Sequence, residues 1–63
     1  MNYEHFFYPI TRGWVHYFEK TLNGELYQWA TESSGPNPPE DEVRKHHKIA
    51  ERAFQRTEAR LNA

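Results

Sequence analysis

Basic residues recur at every fourth position near the end of the sequence, and this spacing could bind anions. They are Arg44, Lys48, Arg52, Arg56 and Arg60. Residues four apart are neighbours on the surface of a helix, so the five side chains would form one slowly winding basic ridge. A ridge of this kind could bind phosphate or an acidic protein surface. The alternative is a solvated face whose charges pair with acidic residues of the same segment.

The remaining polar residues do not predict a catalytic or metal site. His46 and His47 are adjacent, and adjacent side chains on a helix point about 100° apart, so they are poorly placed to ligate one ion. The spacing of the histidines is not that of a zinc site, and the sequence has no cysteine. Ser33 and Ser34 lie in a turn-forming segment, which explains them without a nucleophile. We expect no enzymatic activity, catalytic residue, metal site or cofactor.

The basic ridge needs a helix to position it, and the last third of the chain has a helical pattern. Apolar and small residues follow steps of four and three, at Val43, His47, Ala50, Phe54, Thr57 and Leu61. Neither Gly nor Pro occurs between Glu40 and Ala63. Asn37 is placed to cap this helix, with Pro38 in its first turn. The pattern predicts a helix over residues 39–62.

Residues 9–32 fit either a helix or two strands. As a helix they form one apolar stripe, at Trp14, Phe18, Leu22, Leu26 and Trp29. As strands they have a two-residue hairpin signal at Asn23-Gly24, which would pair Phe18 with Trp29. The strand interpretation leaves apolar residues on both faces, and an isolated hairpin is only marginally stable. We therefore predict a helix over residues 9–32, in which Gly24 costs about 1 kcal/mol relative to Ala.

The predicted fold is all-α, an antiparallel helical hairpin. It has an aromatic N-terminal arm (residues 1–8), a first helix (9–32), a turn (33–38) and a second helix (39–62). At 63 residues the chain is short for a self-sufficient core, which rarely contributes more than about 3–5 kcal/mol at this size. Without cysteines, disulfides cannot supplement that core, so we expect a homodimer that forms a four-helix bundle.

The aromatic residues exceed what one partner helix could cover, and the surplus predicts a protein interface. The candidate interface residues are Phe6, Phe7, Trp14, Tyr17, Phe18, Leu22, Tyr27, Trp29, His47, Phe54 and Leu61. The expected function is regulation through an unidentified protein partner. The alternative is an accessory protein that binds nucleic acid through the basic ridge, which the net charge of −1 disfavours.

The chain resembles the tiny accessory proteins of lambdoid phage early regions in its size, its lack of cysteine, the predicted helix from Trp14 to Trp29, the Pro-rich turn and the Ala/Arg-rich helix from Val43 to Leu61. The plan is also similar to that of plasmid-encoded helical-hairpin regulators. This resemblance implies a non-enzymatic modulator of host or phage development. No apolar run is long enough to span a bilayer, and we expect a cytoplasmic protein, in the host cytoplasm if it is phage-encoded.

Overall fold

The computed structural model describes all 63 residues and contains three strands and one helix. The elements are β1 (Asn2–Tyr8), β2 (Gly13–Leu22), β3 (Glu25–Glu32) and α1 (Glu40–Leu61). The strands form one antiparallel sheet in the order β1-β2-β3. The predicted all-α helical hairpin is therefore wrong, as is the four-helix bundle that it would build. The single helix lacks the apolar length required to cross a membrane.

Strands β2 and β3 occupy the segment for which a first helix was predicted. Asn23 and Gly24 both have positive φ, at 51° and 83°, as a two-residue turn of type I′ requires. Phe18 pairs with Trp29 across the two strands. This is the hairpin that the sequence offered as the alternative. The strands are stable because a third strand and a helix cover them, whereas an isolated hairpin would be marginal.

The segment predicted as an aromatic N-terminal arm forms the edge strand β1. All seven of its residues pair in register with β2, from Asn2 opposite Glu19 to Tyr8 opposite Gly13. The connection to β2 is short, and its Arg12 N–H donates to the carbonyl of Pro9 at 3.2 Å. Aromatic and β-branched side chains suit the pleated surface that such pairing builds.

The helix α1 begins at Glu40, directly after Pro39, and no side chain caps it. The predicted cap at Asn37 is therefore not formed. Glu40, Asp41 and Glu42 occupy the first turn, where the helix dipole favours negative charge. The helix otherwise lies where the second helix was predicted, because this segment has no breaking residue.

The core lies between α1 and one face of the sheet, where α1 crosses β2 and β3. Phe18 from β2 is fully buried against Ala50 and Phe54 of the helix, and Tyr3 and Tyr27 flank them. Only six of the 63 residues are buried, so the intrachain core is small. The opposite face of the sheet has no covering element, and we refer to it below as the helix-free face.

Candidate functional site

The helix-free face is assigned by strand alternation and register. Successive side chains of a strand point to opposite faces, so the residues of β2 on either side of Phe18 face away from the helix. The pairing of the strands extends this assignment to β1 and β3. The large apolar and aromatic side chains of this face are Phe6, Tyr8, Val15, Tyr17 and Leu26. A sheet with one such face uncovered has apolar surface available for a partner.

A shallow apolar concavity of about 310 Å³ occupies part of the helix-free face. Its lining residues are Phe6, Tyr8, Thr11, Val15, Tyr17, Ala30, Thr31 and Glu32. Val15 is only 6% exposed although no helix covers it, because neighbouring side chains of the same face surround it. The ring of Phe6 lies 5.9 Å from that of Tyr17 and 6.3 Å from that of Tyr8, measured between centroids. These contacts shape the concavity from three aromatic rings.

The charged side chains of the helix-free face are all acidic. They are Glu4, Glu19 and Glu32, one from each strand. The Tyr17 hydroxyl donates to Glu19 Oε2 at 2.9 Å and accepts from Gln28 Nε2 at 2.6 Å. Desolvation raises the pKa of the Tyr17 phenol, and the Glu19 carboxylate raises it further. The hydrogen bond from Gln28 lowers this pKa but does not cancel the rise. Tyr17 is therefore a neutral, oriented ring beside an acidic rim.

A second candidate site is a polar cluster on the other face of the sheet, centred on His16. This side chain is fully buried. Its Nδ1 lies 2.8 Å from the Tyr3 hydroxyl and its Nε2 lies 2.8 Å from Glu42 Oε2. Glu42 also accepts from the backbone N–H of Ser34 at 3.1 Å and from the Ser33 hydroxyl at 3.3 Å. The cluster thus joins β1, β2, the β3–α1 connection and the first turn of the helix.

The hydrogen bonds of the cluster fix the ionisation of Glu42. The hydrogen bond from His16 first, and those from Ser34 next, lower the pKa of Glu42 from an ordinary 4.5 to about 2. The ionised carboxylate can only accept, so His16 Nε2–H donates to it. When His16 is neutral, its Nδ1 accepts from the Tyr3 hydroxyl. Desolvation and the Glu42 charge raise the pKa of Tyr3, which keeps this phenol protonated.

Two further histidines lie against His16, one stacked on it (His46) and one tilted (His5). The His46 ring lies 4.8 Å from the His16 ring, and the His5 ring lies 5.3 Å from it. His46 Nδ1 is 2.9 Å from Thr31 Oγ1, and His5 Nε2 is 3.0 Å from Ser33 Oγ. Desolvation, and then a charge on His16, lower the pKa of His46.

The polar cluster resembles a hydroxyl–imidazole–carboxylate triad in connectivity, and its hydrogen bonds join the sheet to the helix. Its hydroxyl belongs to Tyr3, whose raised pKa opposes activation as a nucleophile. None of the four surface concavities is lined by Tyr3, His16 or Glu42. No three histidine or acidic side chains are placed to hold a metal ion. Every buried side-chain nitrogen and oxygen has a hydrogen-bond partner.

The five residues of the basic ridge are all exposed on α1. Arg44 pairs with Asp41 at 2.6 Å, which is an ion pair between two exposed side chains. The other four members, Lys48, Arg52, Arg56 and Arg60, take part in none of the ion pairs of the chain. The alternative interpretation, in which acidic residues of the same segment pair with the ridge, therefore holds only for Arg44.

The predicted interface residues divide among three places. Phe18, Leu22 and Phe54 belong to the buried core. Phe6 and Tyr17 lie at the concavity of the helix-free face. The others are partly or well exposed on the helix side of the sheet or on the helix itself, and they are Phe7, Trp14, Tyr27, Trp29, His47 and Leu61. The fold therefore does not gather the predicted set into one surface.

Sequence reasoning missed most of the concavity and all of the polar cluster. Tyr8, Val15 and Ala30 were not among the predicted interface residues. A helix over residues 9–32 places Val15 and Ala30 beside its apolar stripe and not on it. One signal in the sequence could have revealed the concavity. If residues 9–32 are read as strands, apolar residues lie on both faces of the sheet, and one of these faces has no helix to cover it. His16 gave no local signal, since its partners Tyr3 and Glu42 are 13 and 26 residues away in sequence.

Comparison with known proteins adds no family assignment. No protein-family model matches the sequence, and neither curated proteins nor solved structures give a significant match.

Proposed function

We propose that the protein is a non-enzymatic interaction module that binds a protein partner through the helix-free face. The observation that carries this proposal is the apolar concavity between Phe6, Val15 and Tyr17, on a face that no element of the chain covers. Ligand and partner sites typically combine such an apolar centre with a polar rim. A regulatory role, as in the phage accessory proteins that the chain resembles, stays a prediction.

The rim of the face specifies the charge of the partner. Glu32 lines the concavity, Glu4 and Glu19 lie on the same face of the sheet, and no strand residue of this face is basic. An acidic rim attracts basic residues and repels acidic ones, which determines the choice of partner more than it adds affinity. The partner surface that fits has aromatic or aliphatic side chains for the concavity and Lys or Arg beside them.

Self-association through the same face is the competing outcome. The homodimer expected from the small core stays a prediction, and the helix-free face would be its natural surface. Two copies placed face to face would bring six carboxylates together, three from each chain. Screening would therefore strengthen homodimerisation as salt is added, whereas it would weaken the binding of a basic partner. Sedimentation equilibrium over a salt series separates the two cases.

Selection from a random peptide library displayed on phage tests the proposal without knowledge of the partner. We expect the peptides bound by the immobilised protein to be enriched in Lys or Arg next to aromatic or aliphatic residues. Selected peptides should shift the amide resonances of β1, β2 and β3 residues on the helix-free face. Enrichment of acidic peptides, or shifts confined to α1, would contradict the proposed face.

A further inference from the structure

We propose that the free edge of β3, together with the groove between β3 and α1, binds an extended acidic peptide by strand addition. The edge borders the helix-free face, but the groove lies on the helix side of the sheet, and the proposal does not depend on the function proposed above. The groove has a volume of about 230 Å³, and we call it the edge groove. Its lining residues are Tyr27, Gln28, Trp29, Ala53, Phe54, Arg56, Thr57 and Arg60.

The outer edge of β3 presents unpaired backbone groups at alternate residues. In a hairpin with a two-residue turn, the pair that closes the turn is hydrogen-bonded, and hydrogen-bonded pairs then alternate with non-bonded pairs. The closing pair is Leu22 and Glu25. The N–H of Ser33, eight residues after Glu25, still donates to the Trp14 carbonyl at 2.8 Å, which confirms the alternation. The outward-facing residues are therefore Leu26, Gln28, Ala30 and Glu32.

The middle of β3, between Glu25 and Glu32, has no feature that protects this edge against another strand. The eight residues pair continuously with β2, without a bulge or a proline, two devices that commonly blunt the edges of natural sheets. Gln28 lies at the middle of the edge, and its backbone N–H and carbonyl point away from β2. An extended peptide could continue the sheet there, with main-chain hydrogen bonds that do not depend on its sequence.

The edge groove determines which side chains of the added strand would be preferred. Arg56 and Arg60 are exposed on successive turns of α1, and neither belongs to any ion pair of the chain. Trp29 is 38% exposed between these arginines and the strand edge. Alternate residues of an added strand would face this groove, where carboxylates can form charge-assisted hydrogen bonds with guanidinium groups. The remaining residues would face the acidic rim, so they should be neutral or apolar.

The probe that matches this geometry is a fluorescein-labelled peptide in which glutamate alternates with valine. We expect it to bind saturably in fluorescence anisotropy, while the corresponding lysine–valine peptide does not. Arg56→Gln or Arg60→Gln should weaken the binding by about tenfold, as expected for the loss of a hydrogen bond to a charged group. Arg44→Gln is the matched control and should leave the affinity unchanged, because Arg44 lies at the opposite end of the helix and already pairs with Asp41.

The strand-addition step has its own controls. Gln28→Pro removes an outward N–H without breaking the ladder to β2 and should abolish binding, whereas Gln28→Ala should retain it. Both variants lose the side-chain hydrogen bond to Tyr17. A difference in peptide affinity between them therefore measures the contribution of the backbone N–H of residue 28. If Gln28→Pro fails to fold, N-methylation of alternate amides of the probe peptide tests the same hydrogen bonds and should abolish binding.

Three results would overturn the proposal. The first is equal binding of the lysine–valine peptide, and the second is full binding by the N-methylated probe. The third is tight binding of single-stranded oligothymidine that the Arg56 and Arg60 variants lose but the Gln28→Pro variant keeps. Bases can stack on Trp29 while phosphates contact the two arginines. That pattern would assign the edge groove to nucleic acid.

Discussion

The Nε2 atom of His16 lies 2.8 Å from Oε2 of Glu42, and this hydrogen bond joins the middle strand of the sheet to the first turn of α1. His16 is fully buried, so the bond has little competition from water. The helix has no side-chain cap at its N-terminus, and this contact fixes its entry onto the sheet instead. The integrity of the fold should therefore depend on the ionisation of Glu42.

Stability should fall as the pH falls below the ordinary pKa of a glutamate. The folded state lowers the pKa of Glu42 from 4.5 to about 2, so the unfolded state binds more protons between these values. The stabilisation is therefore complete above about pH 4.5 and is lost as the pH approaches 2. Urea unfolding over this pH range should show a steep dependence for the wild type and a flatter one for Glu42→Gln. Glu40→Gln, in the same helical turn, is the control and should keep the wild-type slope.

Phe54→Ala should remove most of the folding free energy. Phe54 is 3% exposed and packs against Phe18 and Ala50 beneath the sheet. Truncation of a buried Phe costs about 3–5 kcal/mol, which is comparable to the whole stability expected of a core this small. Ile49→Ala, at a neighbouring position that is 37% exposed, should cost much less. Denaturant unfolding measures both, and equal losses would show that the core is elsewhere.

Gly24→Ala should destabilise the β2–β3 hairpin by about 1–2 kcal/mol, because an L-residue with a side chain disfavours the left-handed conformation. Gly24 has a φ of 83°. A Cβ at Gly24 would meet no atom within 4 Å, so the expected cost is conformational and not steric. Gly35→Ala is the control, since Gly35 has the same open surroundings and no positive φ. Thermal unfolding should separate the two variants.

The failure of the predicted first helix has a physical origin in the spacing of its stripe. Trp14, Phe18 and Leu22 are four residues apart, and a spacing of four places residues on one face of a strand as well as on one side of a helix. Trp29 joins the same face because the two-residue turn places it opposite Phe18. Local periodicity therefore could not separate the two structures.

The strand interpretation of residues 9–32 placed apolar residues on both faces of the sheet, and this was a reason to predict a helix instead. In the structure, the two sets of apolar residues belong to two different surfaces of the sheet. Phe18 faces the helix and is fully buried, whereas Val15 and Tyr17 line the concavity of the helix-free face. By contrast, the segment from Glu40 to Leu61 could be predicted because its good helix formers and absent breakers agree with its apolar stripe. The His16 cluster depends on contacts between distant residues, which no local pattern encodes.

The binding of a selected basic peptide to two lysine variants tests the proposed docking face most directly. Ala30 lines the concavity of the helix-free face, and Ala59 is exposed on α1, so Ala30→Lys and Ala59→Lys add the same charge and bulk at different surfaces. Isothermal titration should show binding weakened by at least about tenfold in Ala30→Lys, since a lysine there would repel the basic ligand and fill the concavity. Ala59→Lys should bind as the wild type does. Equal affinities for the two variants, or a loss confined to Ala59→Lys, would contradict the assignment of the helix-free face as the docking surface.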